Sequence, residues 1–351
     1  MASRLDLSFW RGRRVLLTGH SGFKGAWLAL WLEQLGASVV GFSLPGEVSA
    51  PSLFQLARVG EALRGEVRGD VRDTDAVQQA FELAEPEIVI HMAAQSLVRP
   101  SFASPRETWE TNVMGTVNVL EAVRDRRDVA TLVVTSDKCY ENREWEWGYR
   151  EGEPLGGHDP YSSSKGACEL VCASWRDSFS LKLASARAGN VVGGGDFASE
   201  RLVPDLMRAA LAGEPLLVRN PDAVRPWQHV LGPLSGYLLL AERVFAGECA
   251  AAWNFGPVEQ DARPVRSVVE QLASRWEGLR WELDPGEHPH EAHFLKLDSS
   301  RAHTHLGWRP AWGFERALDA TADWYRAHAV GEDVRAVALA QIEAYVSAAG
   351  G

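Results

Sequence analysis

The 351-residue sequence predicts an α/β fold, a doubly wound parallel sheet followed by a smaller mixed α/β lobe in the C-terminal half. Short β-branched runs alternate with longer amphipathic stretches up to about residue 190. Glycines at three-residue intervals stand where the first run meets the first stretch. Beyond Asn190 the alternation loosens, broken by Gly193-Gly194-Gly195 and by Pro204, Pro215, Pro221, Pro226 and Pro233.

Strands covered on both faces need continuous apolar runs, and Val15-Leu16-Leu17 is the first of these. A helical pattern over 24–36 leads to the second, Val39-Val40-Gly41-Phe42, and a third strand ends before Gly69-Asp70-Val71-Arg72. Helical spacing over 74–84, 106–126 and 161–179 alternates with Ile88-Val89-Ile90, Leu132-Val133-Val134 and Leu183-Ala184-Ser185-Ala186-Arg187. Later helices are expected over 230–246, 264–276, 314–328 and 332–347, the last with Val334, Val337, Ala338, Ile342 and Tyr345 at helical intervals. The expected division is residues 1–190 for the sheet domain and 191–351 mainly for the lobe, with some of that chain returning to the sheet.

A composition of 46% hydrophobic and 24% charged residues is that of a globular protein. No apolar run reaches the length of a membrane span, and Met1-Ala2-Ser3-Arg4-Leu5-Asp6 lacks a signal-peptide core, so a cytoplasmic protein without a membrane partner is expected. The formal net charge of −11 argues against nucleic acid as a partner, and an anionic ligand must find local cations. Cys139, Cys168, Cys172 and Cys249 form no Cys-x-x-Cys pair and predict neither a disulfide framework nor zinc; Cys168 and Cys172, four apart on a helix, are expected to pack. Of the 36 cationic residues only Lys24, Lys138, Lys165, Lys182 and Lys296 are lysine. Arginine cannot deprotonate, so these five are the candidates for a tunable amine.

Thr18-Gly19-His20-Ser21-Gly22-Phe23-Lys24-Gly25 follows the first strand and opens a helix. Glycine lets the backbone turn tightly and approach a pyrophosphate, whose charge the helix N-terminus holds. This context makes Gly19, His20, Gly22, Phe23, Lys24 and Gly25 a dinucleotide loop and the sheet Rossmann-type. The acid that usually holds the adenosine ribose is missing, since Val39 to Leu44 reaches Glu47 without one, and no arginine follows that strand to hold a 2′-phosphate. NAD is expected, with NADP left open. Asp70 and Val71 are placed near the adenine, a plain loop acid being the alternative for Asp70.

Tyr161 and Lys165 lie four apart on a helix, where the lysine charge is expected to lower the phenol pKa and make tyrosine a base. Thr135-Ser136-Asp137-Lys138-Cys139-Tyr140 adds an acid and an amine just past the carboxyl end of a central strand, where open α/β sheets bind ligands. The bland reading of Asp137 and Lys138 is a surface ion pair.

Together these residues resemble the extended short-chain dehydrogenase/reductase family over almost the whole chain: the 18–25 loop, Asp70-Val71, His91-Met92-Ala93-Ala94-Gln95, the Ser136 region and the Tyr161/Lys165 pair occur in its order. Within it the likeness is to the nucleotide-sugar 4,6-dehydratases, on Ser136-Asp137-Lys138-Cys139-Tyr140-Glu141-Asn142, Pro221-Asp222-Ala223-Val224-Arg225-Pro226-Trp227-Gln228-His229 and Pro289-His290-Glu291-Ala292-His293. The resemblance implies that Ala93, Ala94 and Gln95 join the cofactor loop. It implies an internal redox cycle on a sugar nucleotide, CDP-D-glucose above others. Tyr161 accepts the proton of the 4-hydroxyl, Ser136 bonds the same oxygen, and hydride leaves carbon 4 and returns to carbon 6 after water is eliminated across carbons 5 and 6. Siblings acting on dTDP-glucose or GDP-mannose carry Asp-Glu where this chain has Asp137-Lys138. With Asp137 as the acid for the leaving hydroxyl, the base at carbon 5 must be Lys138, which requires a neutral amine.

By the same resemblance Arg225 grips the diphosphate and Asn190 contacts the substrate, while Arg201 and Arg219 offer further cations. A homodimer through the helices at 106–126 and 161–179 is implied. His288, His290 and His293, with Pro289 among them, are not a helical zinc motif, and no metal is expected. Trp145, Trp147 and Trp227 are candidates to stack on a base. Two rival readings remain. A sugar-nucleotide epimerase needs no Asp137-Lys138 pair, and a non-catalytic NAD(P) sensor tends to lose the tyrosine or lysine.

Overall fold

The structure, a computed structural model, describes residues 5–46, 50–286 and 294–350. Strands β1 Arg14–Thr18, β2 Ser38–Ser43, β3 Gly65–Arg68, β4 Ile88–His91, β5 Ala130–Val134 and β6 Leu183–Ala188 alternate with α1 Phe23–Gln34, α2 Leu53–Leu56, α3 Thr74–Ala84, α4 Val98–Ala103, α5 Pro105–Trp109, α6 Gly115–Val123 and α7 Pro160–Phe179. After β7 Val191–Val192 come α8 Leu202–Ala212, β8 Pro215–Val218, β9 Val224–Pro226, β10 Gln228–His229, α9 Leu231–Phe245, β11 Ala252–Phe255, β12 Ala262–Pro264, α10 Val265–Arg275, β13 Arg280–Leu283, α11 Phe314–Ala329 and α12 Val334–Gly350.

The seven-stranded sheet runs β3-β2-β1-β4-β5-β6-β11, every pair parallel. Successive side chains point to opposite faces. Val15, Leu17, Val39, Ile88, Ile90, Leu132 and Val134 join one core with α1, α9 and α12, and Leu16, Val40, Val89 and Val133 join the other with α3, α6 and the apolar side of α7. Strand order reverses between β1 and β4, which opens a ligand crevice at their carboxyl ends.

The expected strands and helices are present, with two differences. The seventh strand, β11, comes from the second half of the chain, which returns through α9 across β5 and β6 and through α12 against α1. Arg335 on α12 donates from Nη2 to both carboxylate oxygens of Glu33 on α1 at 2.6 Å. The continuous helix expected over 106–126 is interrupted by a π turn, Glu110–Met114, which turns Asn112 into the protein. The pairs β7/β10, β9/β12 and β8/β13 with α8 and α10 make the smaller lobe. Trp10, Trp27, Trp31 and Trp324 are fully buried, which accounts for part of the tryptophan content as core. All four cysteines are free, and Cys168 and Cys172 pack as expected. Among the described residues no helix is long and apolar enough to cross a membrane.

Candidate active site

The glycine loop is shaped by close approach. Gly19 has φ +74°, and a β-carbon there would lie 2.7 Å from the Ala93 nitrogen; one on Gly25 would lie 2.1 Å from the Gly19 carbonyl oxygen. Only glycine fits both places. Gly22 caps α1 in extended conformation, so the first amides of the helix face the crevice. His20 is buried beneath the loop with Nε2 2.5 Å from Glu66 Oε1, and burial pushes its pKa down. Ala93 is placed by its own amide, which with that of Met92 donates to Thr18 Oγ1 at 3.1 and 3.0 Å. The Thr18 hydroxyl must then donate to His91 Nδ1, 2.7 Å away, leaving Nε2–H of a neutral His91 for Thr116 Oγ1 at 3.2 Å. Burial holds the His91 pKa near 3.

Asp159 begins α7, accepting the Ser162 amide at 2.9 Å and the Ser162 hydroxyl at 2.5 Å, with Pro160 at the first helical position. Tyr161 is then fixed by its amide on Ser101 Oγ at 3.2 Å, and Lys165 Nζ reaches the Val134 carbonyl at 3.4 Å. Ser136 Oγ donates to Asp137 Oδ1 at 3.0 Å and stands near enough to the Tyr161 phenol to pull its pKa down. Ser136, Asp137, Tyr161 and Lys165 are all buried, while Lys138 is half-buried.

Burial raises the Tyr161 pKa to about 12, against the pull of Ser136 and Arg201. This corrects the expectation that Lys165 lowers it: in the protein alone, desolvation of the phenolate outweighs every nearby charge. Burial also lowers the Lys165 pKa. Asp137 is raised by burial against Lys138, Ser136, Lys24 and Arg225, so its carboxyl is suited to carry a proton. Asp137 Oδ2 has no hydrogen-bond partner among the described residues. Lys24, on the first turn of α1, is brought down to about 8 by burial, then by Arg201 and Lys165, against Asp137 and Asp196.

Other expected residues sort as follows. Arg201 reaches the site, held by Asp196 Oδ2 at 2.9 Å and Ser96 Oγ at 3.2 Å. Arg225 on β9 is near enough for its charge to oppose the rise in the Asp137 pKa, and it donates to the Val224 carbonyl at 2.9 Å. Asn190 follows β6 at the same end of the sheet, its carbonyl taking the Gln228 amide at 3.2 Å. Arg219 instead lines a cavity of about 450 Å³ with Arg266 and Trp281, to which none of the reactive candidates contributes. Asp70 is occupied by Arg72, with Nη2 2.6 Å from Oδ2, and Val71 is buried. Ala94 lies on the β4 loop. Gln95 is spent on that loop: Oε1 takes the Leu97 amide at 2.5 Å and Nε2 donates to the Leu97 carbonyl at 3.0 Å. Trp227 is buried with its indole N–H on the Arg263 carbonyl at 3.0 Å, so it is removed from the stacking candidates. Trp145 and Trp147 line a second cavity, of about 500 Å³. Glu47 and the segment from Glu287 to His293 lie outside the described residues.

An arginine does stand beside the end of β2. Arg68, paired in register with Ser43, donates from Nη1 to its hydroxyl at 3.3 Å. It was hidden by lying on the neighbouring strand. Sequence reasoning also passed over Asn112, which accepts the Gln95 amide at 2.8 Å and donates to Ser164 Oγ at 2.9 Å, joining the cofactor-side loop to α7. Its only signal was an asparagine within a helical pattern, where that residue is disfavoured.

The model of the GDP-mannose 4,6 dehydratase family matches residues 16–321. The chain belongs to that family. It is 47% identical over 357 residues to a CDP-glucose 4,6-dehydratase of Salmonella typhimurium, covering 98% of this chain and 99% of that protein. Two solved structures share the family's fold. The dTDP-glucose 4,6-dehydratase of Bacillus anthracis in complex with NAD aligns with TM-score 0.77 at 21% identity, over 92% of this chain and 100% of that one. A Thermus thermophilus UDP-glucose 4-epimerase complexed with NAD gives 0.75 at 26% identity, over 89% and 99%.

Proposed function

We propose that the protein is an NAD-dependent hydro-lyase that converts CDP-D-glucose to CDP-4-keto-6-deoxy-D-glucose with release of water. One observation carries the reading: the acid-amine turn Asp137-Lys138 and the Tyr161/Lys165 pair meet at Ser136, in a member of the 4,6-dehydratase family. The relative that is 47% identical is itself a CDP-glucose 4,6-dehydratase.

The β1–α1 loop, with its glycine cradle and first-turn amides, fits a dinucleotide, and Gly19, Gly22, Gly25, Lys24 and Ala93 would hold it. NAD supplies a hydride acceptor and a positive ring when bound. Tyr161 takes the proton of the sugar 4-hydroxyl, and Ser136 orients that oxygen. The positive ring of a bound cofactor would favour the phenolate, against the burial that raises the Tyr161 pKa. Once carbon 4 is a ketone, the carbon-5 proton is acidic. Lys138 removes it, and Asp137, whose carboxyl burial shifts toward the protonated form, delivers a proton to the departing 6-hydroxyl. Arg225 and Arg201 bind the diphosphate against the overall negative charge of the chain. A homodimer fits the exposed apolar residues Trp109, Met114 and Leu170, which lie along the expected pairing helices at 106–126 and 161–179, and Phe102 on the preceding α4.

The test is incubation with CDP-glucose, dTDP-glucose and GDP-mannose in deuterated water, read by NMR. A 4-keto-6-deoxy product labelled at carbon 5, formed best from CDP-glucose, is expected. No product from CDP-glucose overturns the proposal.

A further inference from the structure

The most deeply buried ion pair near the site joins Arg187 on β6 to Glu169 on α7, Nη2 to Oε2 at 2.8 Å, each side chain 3% exposed. Glu169 stands one turn beyond Lys165. Its Oε1 accepts the Thr135 hydroxyl at 2.5 Å and its Oε2 the Ser185 hydroxyl at 2.6 Å. Arg187 Nη1 donates to the Tyr140 hydroxyl at 2.7 Å and to the Glu151 carbonyl at 3.2 Å. The Tyr140 hydroxyl donates to Asn254 Oδ1 at 2.7 Å, and Asn254 Nδ2 donates to the carbonyls of Tyr149 at 2.8 Å and Asp298 at 3.1 Å.

Thr135 and Tyr140 bracket the segment Ser136 to Cys139 that carries Asp137 and Lys138. Both ends of that turn therefore hang on opposite halves of one ion pair. A buried pair adds little net stability, but a hydrogen-bonded network of this kind fixes one geometry where several would otherwise pack. The Tyr161/Lys165 pair has supports of its own in Asp159, Ser101 and the Val134 carbonyl.

We propose that Glu169 and Arg187, acting through Thr135 and Tyr140, are positioning residues that aim the Asp137-Lys138 turn at carbons 5 and 6 of the sugar, so that loosening this brace slows elimination more than oxidation at carbon 4. The inference rests on the dehydratase reading above.

Tyr140→Phe and Thr135→Val each delete one hydroxyl at nearly constant shape. The purified full-length variants, with NAD and CDP-glucose, are followed by the absorbance of reduced cofactor, by deuterium uptake at carbon 5 and by product formation. Elimination should slow roughly tenfold to a hundredfold, as expected for a reacting group displaced by a fraction of an ångström to an ångström. Reduced cofactor should accumulate, the KM for CDP-glucose should change little, and Thr135→Ser should regain what Thr135→Val loses. Equal losses in oxidation and elimination, or unchanged elimination, would overturn the inference. If one variant fails to fold, the other decides alone. A wild-type protein that makes no product fails the dehydratase reading instead, before any variant is compared.

Discussion

Gly189 holds open the space that Asp137 occupies. A β-carbon at position 189 would lie 2.8 Å from Asp137 Oδ2 and 2.7 Å from Pro226 Cγ, too close for either to stay in place. The glycine after β6 thus sets how far the Asp137 carboxyl can reach into the crevice, between the substrate-side strand β9 and the turn after β5.

Gly189→Ala should therefore move the carboxyl or the proline. Overpacking of this kind costs about 1–3 kcal/mol, and turnover should fall at least tenfold as the acid leaves its position. Thermal unfolding and steady-state kinetics check both numbers. Unchanged turnover would show that Asp137 does not act from this position.

The raised pKa of Asp137 predicts a pH signature. A carboxyl whose pKa is raised by folding binds its proton more tightly in the folded state, so its contribution to stability is full below the ordinary value of 3.8 and is lost as pH rises through the higher folded value. Asp137→Asn, which cannot ionise, should be more stable than wild type at neutral pH and gain nothing at pH values below the ordinary aspartate range. Unfolding curves across pH test this. The same variant should form reduced cofactor but little dehydrated product.

Tyr161→Phe should lose roughly 10²–10⁴-fold in turnover, with the loss already present in carbon-4 oxidation. Single-turnover absorbance of reduced cofactor gives the answer. A variant that still reduces cofactor at the wild-type rate would remove Tyr161 from the role of base.

Lys138→Ala should do the reverse, leaving oxidation measurable and stalling loss of water. Wild-type turnover in this variant would exclude Lys138 as the base at carbon 5. Accumulation of reduced cofactor, expected for Lys138→Ala and lost in Tyr161→Phe, distinguishes the two variants.

The exposed apolar line on α4, α5, the π turn and α7 predicts that Leu170→Arg weakens self-association. Light scattering should show a lower mass than for wild type. An equal mass would place any dimer interface elsewhere.

Much of this was legible in the sequence because the physics is local. β-branched runs, glycine spacing ahead of a helix and an i, i+4 tyrosine-lysine pair all speak within a few residues. What escaped depends on contacts far apart in the chain. β11 reads Ala252-Trp253-Asn254-Phe255, without β-branching, and becomes a strand only because β6 offers it an edge. Arg68 meets Ser43 across a strand pair, and Glu169 reads as an ordinary helix acid until Arg187 is brought to it. The Tyr161 pKa was misjudged because spacing shows a neighbouring charge but not the burial that outweighs it.

In the proposed cycle, hydride removed from carbon 4 is returned to carbon 6 of the same sugar. CDP-glucose deuterated at carbon 4, incubated with the NAD-loaded protein, should give a 4-keto-6-deoxy product carrying the deuterium on carbon 6. Deuterium remaining at carbon 4 of an epimerised hexose, or absent from carbon 6 of the product, would contradict the account.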